Sequence, residues 1–176
     1  MIERIIISGF GGQGVMFLGK LISWAAMREN KFVTFLPAYG AEVRGGTSHC
    51  SIIISDREIA SPCVEQTDTL IAMNQPSVDK FIGLAAKGSE VFINSSMAKS
   101  LPDNISVKIN SIPFSDIASK LGNIKSANMA ALGAYIGRKK VLSKEGILKL
   151  LPEAFKNNPK LIQLNTQAME EGLKNG

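Results

Sequence analysis

The residues best suited to chemistry here are glycines. Gly9-Phe10-Gly11-Gly12-Gln13-Gly14 puts glycine at the first, third and sixth positions of a G-x-G-x-x-G turn. Isoleucine-rich residues 2–8 precede it, and Val15, Leu18, Ile22 and Ala25 follow at helical spacing. A turn between strand and helix lets the backbone adopt positive φ and lets a ligand approach it closely. The helix start then presents N–H groups that hold a phosphate or carboxylate. The same residues also fit a tight turn with no ligand. A dinucleotide site would need an acid about 20 residues on, after the second strand, for the ribose. Phe35-Leu36-Pro37 stands there instead; Glu29 comes too early and Glu42 too late. The Gly-Lys-Ser/Thr of a P-loop is absent.

A second segment, Tyr39-Gly40-Ala41-Glu42-Val43-Arg44-Gly45-Gly46-Thr47-Ser48, reads as an irregular exposed loop. Arg44 offers a permanently charged planar fork for phosphate or carboxylate. Gly45 and Gly46 free two amides beside it, as in an anion nest. Glu42 is spaced to orient Arg44. An internal Glu42–Arg44 ion pair that merely stiffens the loop explains these residues equally well.

The elements that must position these loops form an α/β pattern. Strands are expected at residues 2–8, 32–36, 48–55, 69–73, 90–94 and 107–112, with Asp56-Arg57 turning the third into a short hairpin strand at 58–61. Helices are expected at 14–28, from Gln75 with Pro76 in its first turn, and at 115–121, 127–138, 144–150 and 160–174. Ser143 is the expected N-cap of the helix at 144. The strand–helix–strand over residues 2–36 makes its two strands parallel. The fold class is thus α/β: a Rossmann-like three-layer domain with a mostly parallel sheet, a short hairpin and a helical C-terminal portion. Residues 1–176 form a single domain, without repeats or linkers.

Composition narrows the function. The chain has 176 residues and a net charge of +5, and 45% of its residues are hydrophobic. Residues 1–137 carry net +1 and residues 138–176 net +4, beginning at Arg138-Lys139-Lys140. Acids at 145, 153, 170 and 171 break up that basic end, which suits a solvated helical surface rather than a nucleic-acid stripe. Cys50 and Cys63 cannot supply a four-cysteine cluster or zinc ribbon within one chain. No apolar run reaches the 18–20 residues or so of a membrane span, and the N-terminus has no signal-peptide layout. A reducing cytoplasm is the expected location.

The motifs together resemble the gamma subunit of 2-oxoacid:ferredoxin oxidoreductases. The resemblance rests on Gly9 to Val15 and on Tyr39-Gly40-x-Glu42-x-Arg44-Gly45-Gly46-x-Ser48. It continues through Ile54-Ser55-Asp56, Ile59-x-Ser61-Pro62, Asp68 with Leu70-Ile71-Ala72, and Ala127-Asn128-Met129-x-Ala131-Leu132-Gly133-Ala134. It covers about residues 2–170 in order. It implies a Rossmann-like domain without NAD, in an enzyme that converts a 2-oxoacid and coenzyme A to acyl-CoA and carbon dioxide, with electrons passing to ferredoxin. It also implies that this chain is inactive alone and holds no cofactor by itself. Thiamine diphosphate, magnesium and iron–sulfur clusters would lie in partner alpha, beta and, where separate, delta or ferredoxin-like subunits. The family loop places Tyr39, Glu42, Arg44, Gly45, Gly46 and Ser48 near an interface or the coenzyme A path. The glycine turn places Gly11, Gly12, Gln13 and Gly14 beside it.

Other residues have plainer readings. His49 lies opposite Cys50, Ile52 and Ile54 on its strand and, being adjacent to Ser48, diverges from it; a structural or interface role follows. Met129, Leu132, Tyr135 and Ile136 are core at helical spacing. Asn128 either caps its helix or faces the glycine turn. Trp24 either packs under a helix or anchors a subunit contact. Two further readings stand beside the complex subunit: an independent NAD- or FAD-binding oxidoreductase, and a ligand-free scaffold subunit. The complex reading also implies an apolar surface left uncovered in the isolated chain, with which a homodimer is compatible.

Overall fold

The structure, a computed structural model, describes residues 1–38, 47–102 and 106–176. Six strands form one sheet: β1 (Ile2–Gly9), β2 (Phe32–Ala38), β3 (Ser48–Ser55), β4 (Thr67–Ala72), β5 (Ala85–Asn94) and β6 (Lys108–Ile112). Their spatial order is β2-β3-β1-β4-β5-β6. The pairings β1–β4, β4–β5 and β5–β6 are parallel, whereas β3 is antiparallel to both its neighbours. The helices are α1 (Val15–Arg28), α2 (Gln75–Phe81), α3 (Phe114–Lys120), α4 (Ala127–Lys139), α5 (Lys144–Ala154) and α6 (Pro159–Asn175).

The strands alternate two apolar faces. Ile5, Ile7, Cys50, Ile52, Ile54, Ile71 and Phe92 face a core filled by α1 and α3–α6. Ile6, Leu70, Ala72, Val91 and Ile93 face the smaller core under α2. This period-2 division produces three unequal layers. Met129, Leu132, Tyr135 and Ile136 are all buried, as their spacing predicts. Ser143 caps α5 by accepting from the amide of Gly146. Asn74 caps α2 and Asn158 caps α6 in the same manner.

Two expectations change. The short strand at 58–61 does not form. β3 already spends one edge on β1 and the other on β2, so no edge remains for a hairpin partner. The strand at 32–36 also runs on to Ala38. Pro37 is tolerated because β2 lies at the sheet edge, where one side of the strand needs no ladder donor. β1 and β2 are parallel, as the crossover requires, yet β3 separates them.

Candidate functional site

The glycine turn leaves the carboxyl end of β1 at the point where the chain order of the parallel strands reverses. In an open α/β sheet that crevice is where ligands bind. Gly12 (φ +92°) and Gly14 (φ +71°) hold left-handed conformations, and Gly14 is the N-cap of α1, with no side-chain cap on the helix. A Cβ added at Gly11 or Gly12 would meet nothing within 4 Å, so this stretch of backbone is open. At Gly14 a Cβ would strike the side-chain amide of Asn128, whose Nδ2 donates to the Gly14 carbonyl at 3.3 Å. Of its two expected roles, Asn128 therefore takes the one facing the turn.

Gln13 closes the turn rather than pointing away from it. Its Oε1 accepts from the Phe10 amide (2.7 Å) and from Asn74 Nδ2 (2.8 Å). Its Nε2 donates to the Met73 carbonyl and to Met97 Sδ. Asn74 in turn accepts from the Ser77 amide and hydroxyl. Asn94 Nδ2 donates to the Met73 carbonyl and to Ser115 Oγ. These amides, of which Asn74 and Asn94 are buried, tie the ends of β1, β4 and β5 to the starts of α2 and α3. Sequence reasoning missed Asn74, Asn94 and Met97. The only available signal was an Asn at two strand ends.

Ser48 opens β3 directly opposite Gly9, and Ser8 Oγ donates to its carbonyl at 3.3 Å. The C-terminal end of the second loop therefore meets the glycine turn. Tyr39, Glu42, Arg44, Gly45 and Gly46 lie outside the described residues. His49 points to the α2 face, its ring 4.7 Å from that of Phe81. Burial, and then the charge of Lys80, push its pKa below 6.5.

α4 is aimed by its far end. Lys139 Nζ lies 3.2 Å from Glu3 on β1 and Arg138 Nε 3.5 Å from Glu90 on β5. Its N-terminus meets the glycine turn through Asn128. A cleft of about 290 Å³ opens between them, lined by Gly12, Gly14, Phe17, Lys125, Ser126 and Asn128 among others.

β3 also bears on the dinucleotide reading. A strand inserted between β1 and β2 moves the end of β2 to about 9–10 Å from β1, twice the usual spacing. β2 also carries no acid. The ribose contact has neither its residue nor its position.

Residues 4–175 match the family model described as pyruvate ferredoxin/flavodoxin oxidoreductase. The chain belongs to that family. It is 35% identical over 170 residues to the ketoisovalerate oxidoreductase subunit VorA of Methanothermobacter thermautotrophicus, covering 96% of this chain and 35% of that protein. The chain thus spans about a third of that relative's length. It is 33% identical over 155 residues to the 2-oxoglutarate synthase subunit KorC of Methanocaldococcus jannaschii, covering 86% of this chain and 82% of the other. Its fold is similar to that of a family member of known structure, the keto/oxoacid ferredoxin oxidoreductase gamma subunit of Geobacter sulfurreducens. The TM-score is 0.85 at 29% identity, over 98% of this chain and 97% of that one.

Proposed function

We propose that the chain is the gamma subunit of a multi-subunit 2-oxoacid:ferredoxin oxidoreductase, inactive alone, which helps assembly and contacts coenzyme A. In the complex a 2-oxoacid loses carbon dioxide, its acyl carbon is oxidised and joins the coenzyme A thiol, and the electron pair goes to ferredoxin. Thiamine diphosphate, magnesium and iron–sulfur clusters belong to the alpha, beta and delta-type partners. The two free cysteines and the absence among the described residues of a helix fit to cross a membrane accord with a cytoplasmic enzyme.

One observation carries the coenzyme A contact: backbone open at Gly11 and Gly12, beside the strand start at Ser48 that follows Arg44-Gly45-Gly46. Uncrowded glycine backbone leading into a helix N-terminus suits an anionic carrier. In this reading Arg44 and the Gly45-Gly46 amides take a coenzyme A phosphate and Glu42 holds Arg44. Gln13, whose amide is spent within the turn, keeps the shape of Gly11–Gly14. Steady-state kinetics of the assembled enzyme test it. Arg44→Ala should raise KM for coenzyme A about tenfold and leave KM for the oxoacid unchanged. An unaltered KM for coenzyme A discards the assignment.

A further inference from the structure

We propose that Met97 is a reversible oxidation site read by the glycine turn: a peroxide converts its thioether to the sulfoxide, and Gln13 loses one of the four hydrogen bonds that fix its side chain. The site needs no ligand at the turn; only its expected effect on coenzyme A rests on the reading above.

Exposure selects the residue. Of the seven methionines, Met73, Met129 and Met169 are fully buried and Met16 packs against the core. Met1, Met27 and Met97 are open to water, Met97 at 41%. A thioether oxidises where a peroxide reaches it. Of these three, only Met97 has its sulfur in a hydrogen bond among the described residues.

That bond goes to the turn. Gln13 Nε2 donates to Met97 Sδ at 3.1 Å and to the Met73 carbonyl at 3.2 Å, while Oε1 accepts from the Phe10 amide and from Asn74. The side-chain amide has no donor to spare. In the oxidation a sulfur lone pair attacks one peroxide oxygen, the O–O bond breaks and an S–O bond forms. Sulfur gives up two electrons, and hydrogen peroxide takes them and leaves as water. The sulfur that remains has one lone pair and a partial positive charge, so it no longer accepts from Gln13. A bond to the new oxygen instead, at about 2.9 Å, would require the sulfur to retreat from Nε2.

The main chain cannot make that retreat. The Met97 amide donates to the Asn94 carbonyl at 2.9 Å, and the Met97 carbonyl accepts from the Gln75 amide at 3.2 Å. Gln75 Oε1 accepts from the amides of Lys99 and Ser100. The adjustment falls on the Met97 side chain, which is unbranched and flexible and carries its new oxygen into water. Gln13 is then left with three bonds. Asn74 does not compensate, because it is 1% exposed and its Nδ2 donates only to Gln13 among the described residues.

The test treats the full chain with hydrogen peroxide, maps sulfoxides by mass spectrometry and follows hydrogen exchange of the Phe10 amide, which Gln13 Oε1 holds. Met97 should gain one oxygen, as should Met1 and Met27, and exchange at Phe10 should rise about fivefold, the effect of one lost neutral hydrogen bond. Methionine sulfoxide reductase with a dithiol should reverse both changes. Met97→Leu has no sulfur to bond or to oxidise, so its exchange should be fast before and after treatment alike. Met27→Leu should respond as the wild type does. In the assembled enzyme Met97 should still take up oxygen, and Met97→Leu, without any peroxide, should raise KM for coenzyme A about fivefold.

A Met97 sulfoxide that leaves Phe10 exchange unchanged overturns the proposal. So does a response that survives in Met97→Leu, and so does a Met97 that resists oxidation in the assembled enzyme. In each case an effective Arg44→Ala leaves the coenzyme A reading standing. Exchange that responds as expected, with KM for coenzyme A unmoved in both Met97→Leu and Arg44→Ala, upholds the oxidation site and removes the coenzyme A reading.

Discussion

Glu3 shows what one buried charge does to this protein. Its carboxylate is 5% exposed, accepts from Thr69 Oγ1 at 2.6 Å and pairs with Lys139 at 3.2 Å. Burial outweighs both partners and raises its pKa above 4.5. The native state thus keeps a proton that the unfolded chain has already released. Stability from this group is complete below pH 4.5 and is lost as pH rises through the elevated native value. Glu3→Gln keeps the oxygen that Thr69 needs and removes the titration. The Tm of the wild type should therefore fall relative to that of Glu3→Gln between pH 4.5 and 7, and the variant should be at least as stable at neutrality. A variant less stable by more than about 1 kcal/mol at pH 7 would mean that the Lys139 ion pair outweighs burial.

At the scale of an element, the glycine turn separates fold from ligand. Gly14 combines positive φ with a Cβ position taken by Asn128, so Gly14→Ala should cost about 1–3 kcal/mol in denaturant unfolding. Gly11 has neither constraint, so Gly11→Ala should stay within about 0.5 kcal/mol of wild type. If a ligand approaches this backbone, Gly11→Ala should nevertheless raise KM for coenzyme A in the complex. A stable variant with unchanged kinetics would favour a turn that serves packing alone. The turn itself was legible in the sequence, because φ-tolerant residues at fixed offsets between an isoleucine strand and a 3.6-residue period leave few other arrangements. The sequence left Asn128 with two roles and did not show that Gln13 would join Asn74, since Gly14 lies 114 residues from the one and Asn74 61 from the other.

The whole molecule decides which thiol reacts. Cys50 sits mid-sheet at 0% exposure, and burial pushes its pKa up to about 12. Cys63 is exposed. A thiol reagent at pH 8 should modify one equivalent rapidly and the second only through unfolding, at a rate that denaturant accelerates. Rapid modification of two would contradict the packing around β3. The exposed apolar residues lie in more than one place: Phe32 and Leu36 on β2, and Trp24 and Met27 on α1. Trp24, at 40% exposure, is thus not sealed under a neighbouring helix.

By itself the sequence determined most of the elements, the glycine turn and the family, because periodicity, caps and glycine spacing are local and each element states its own pattern. It did not determine that β3 would insert antiparallel between β1 and β2. Every strand here is apolar enough to pair with any other, so the order follows from which arrangement buries all the faces at once. The same holds for the cleft. Lys125 and Ser126 look like ordinary loop residues until the packing of α4 brings Asn128 against Gly14.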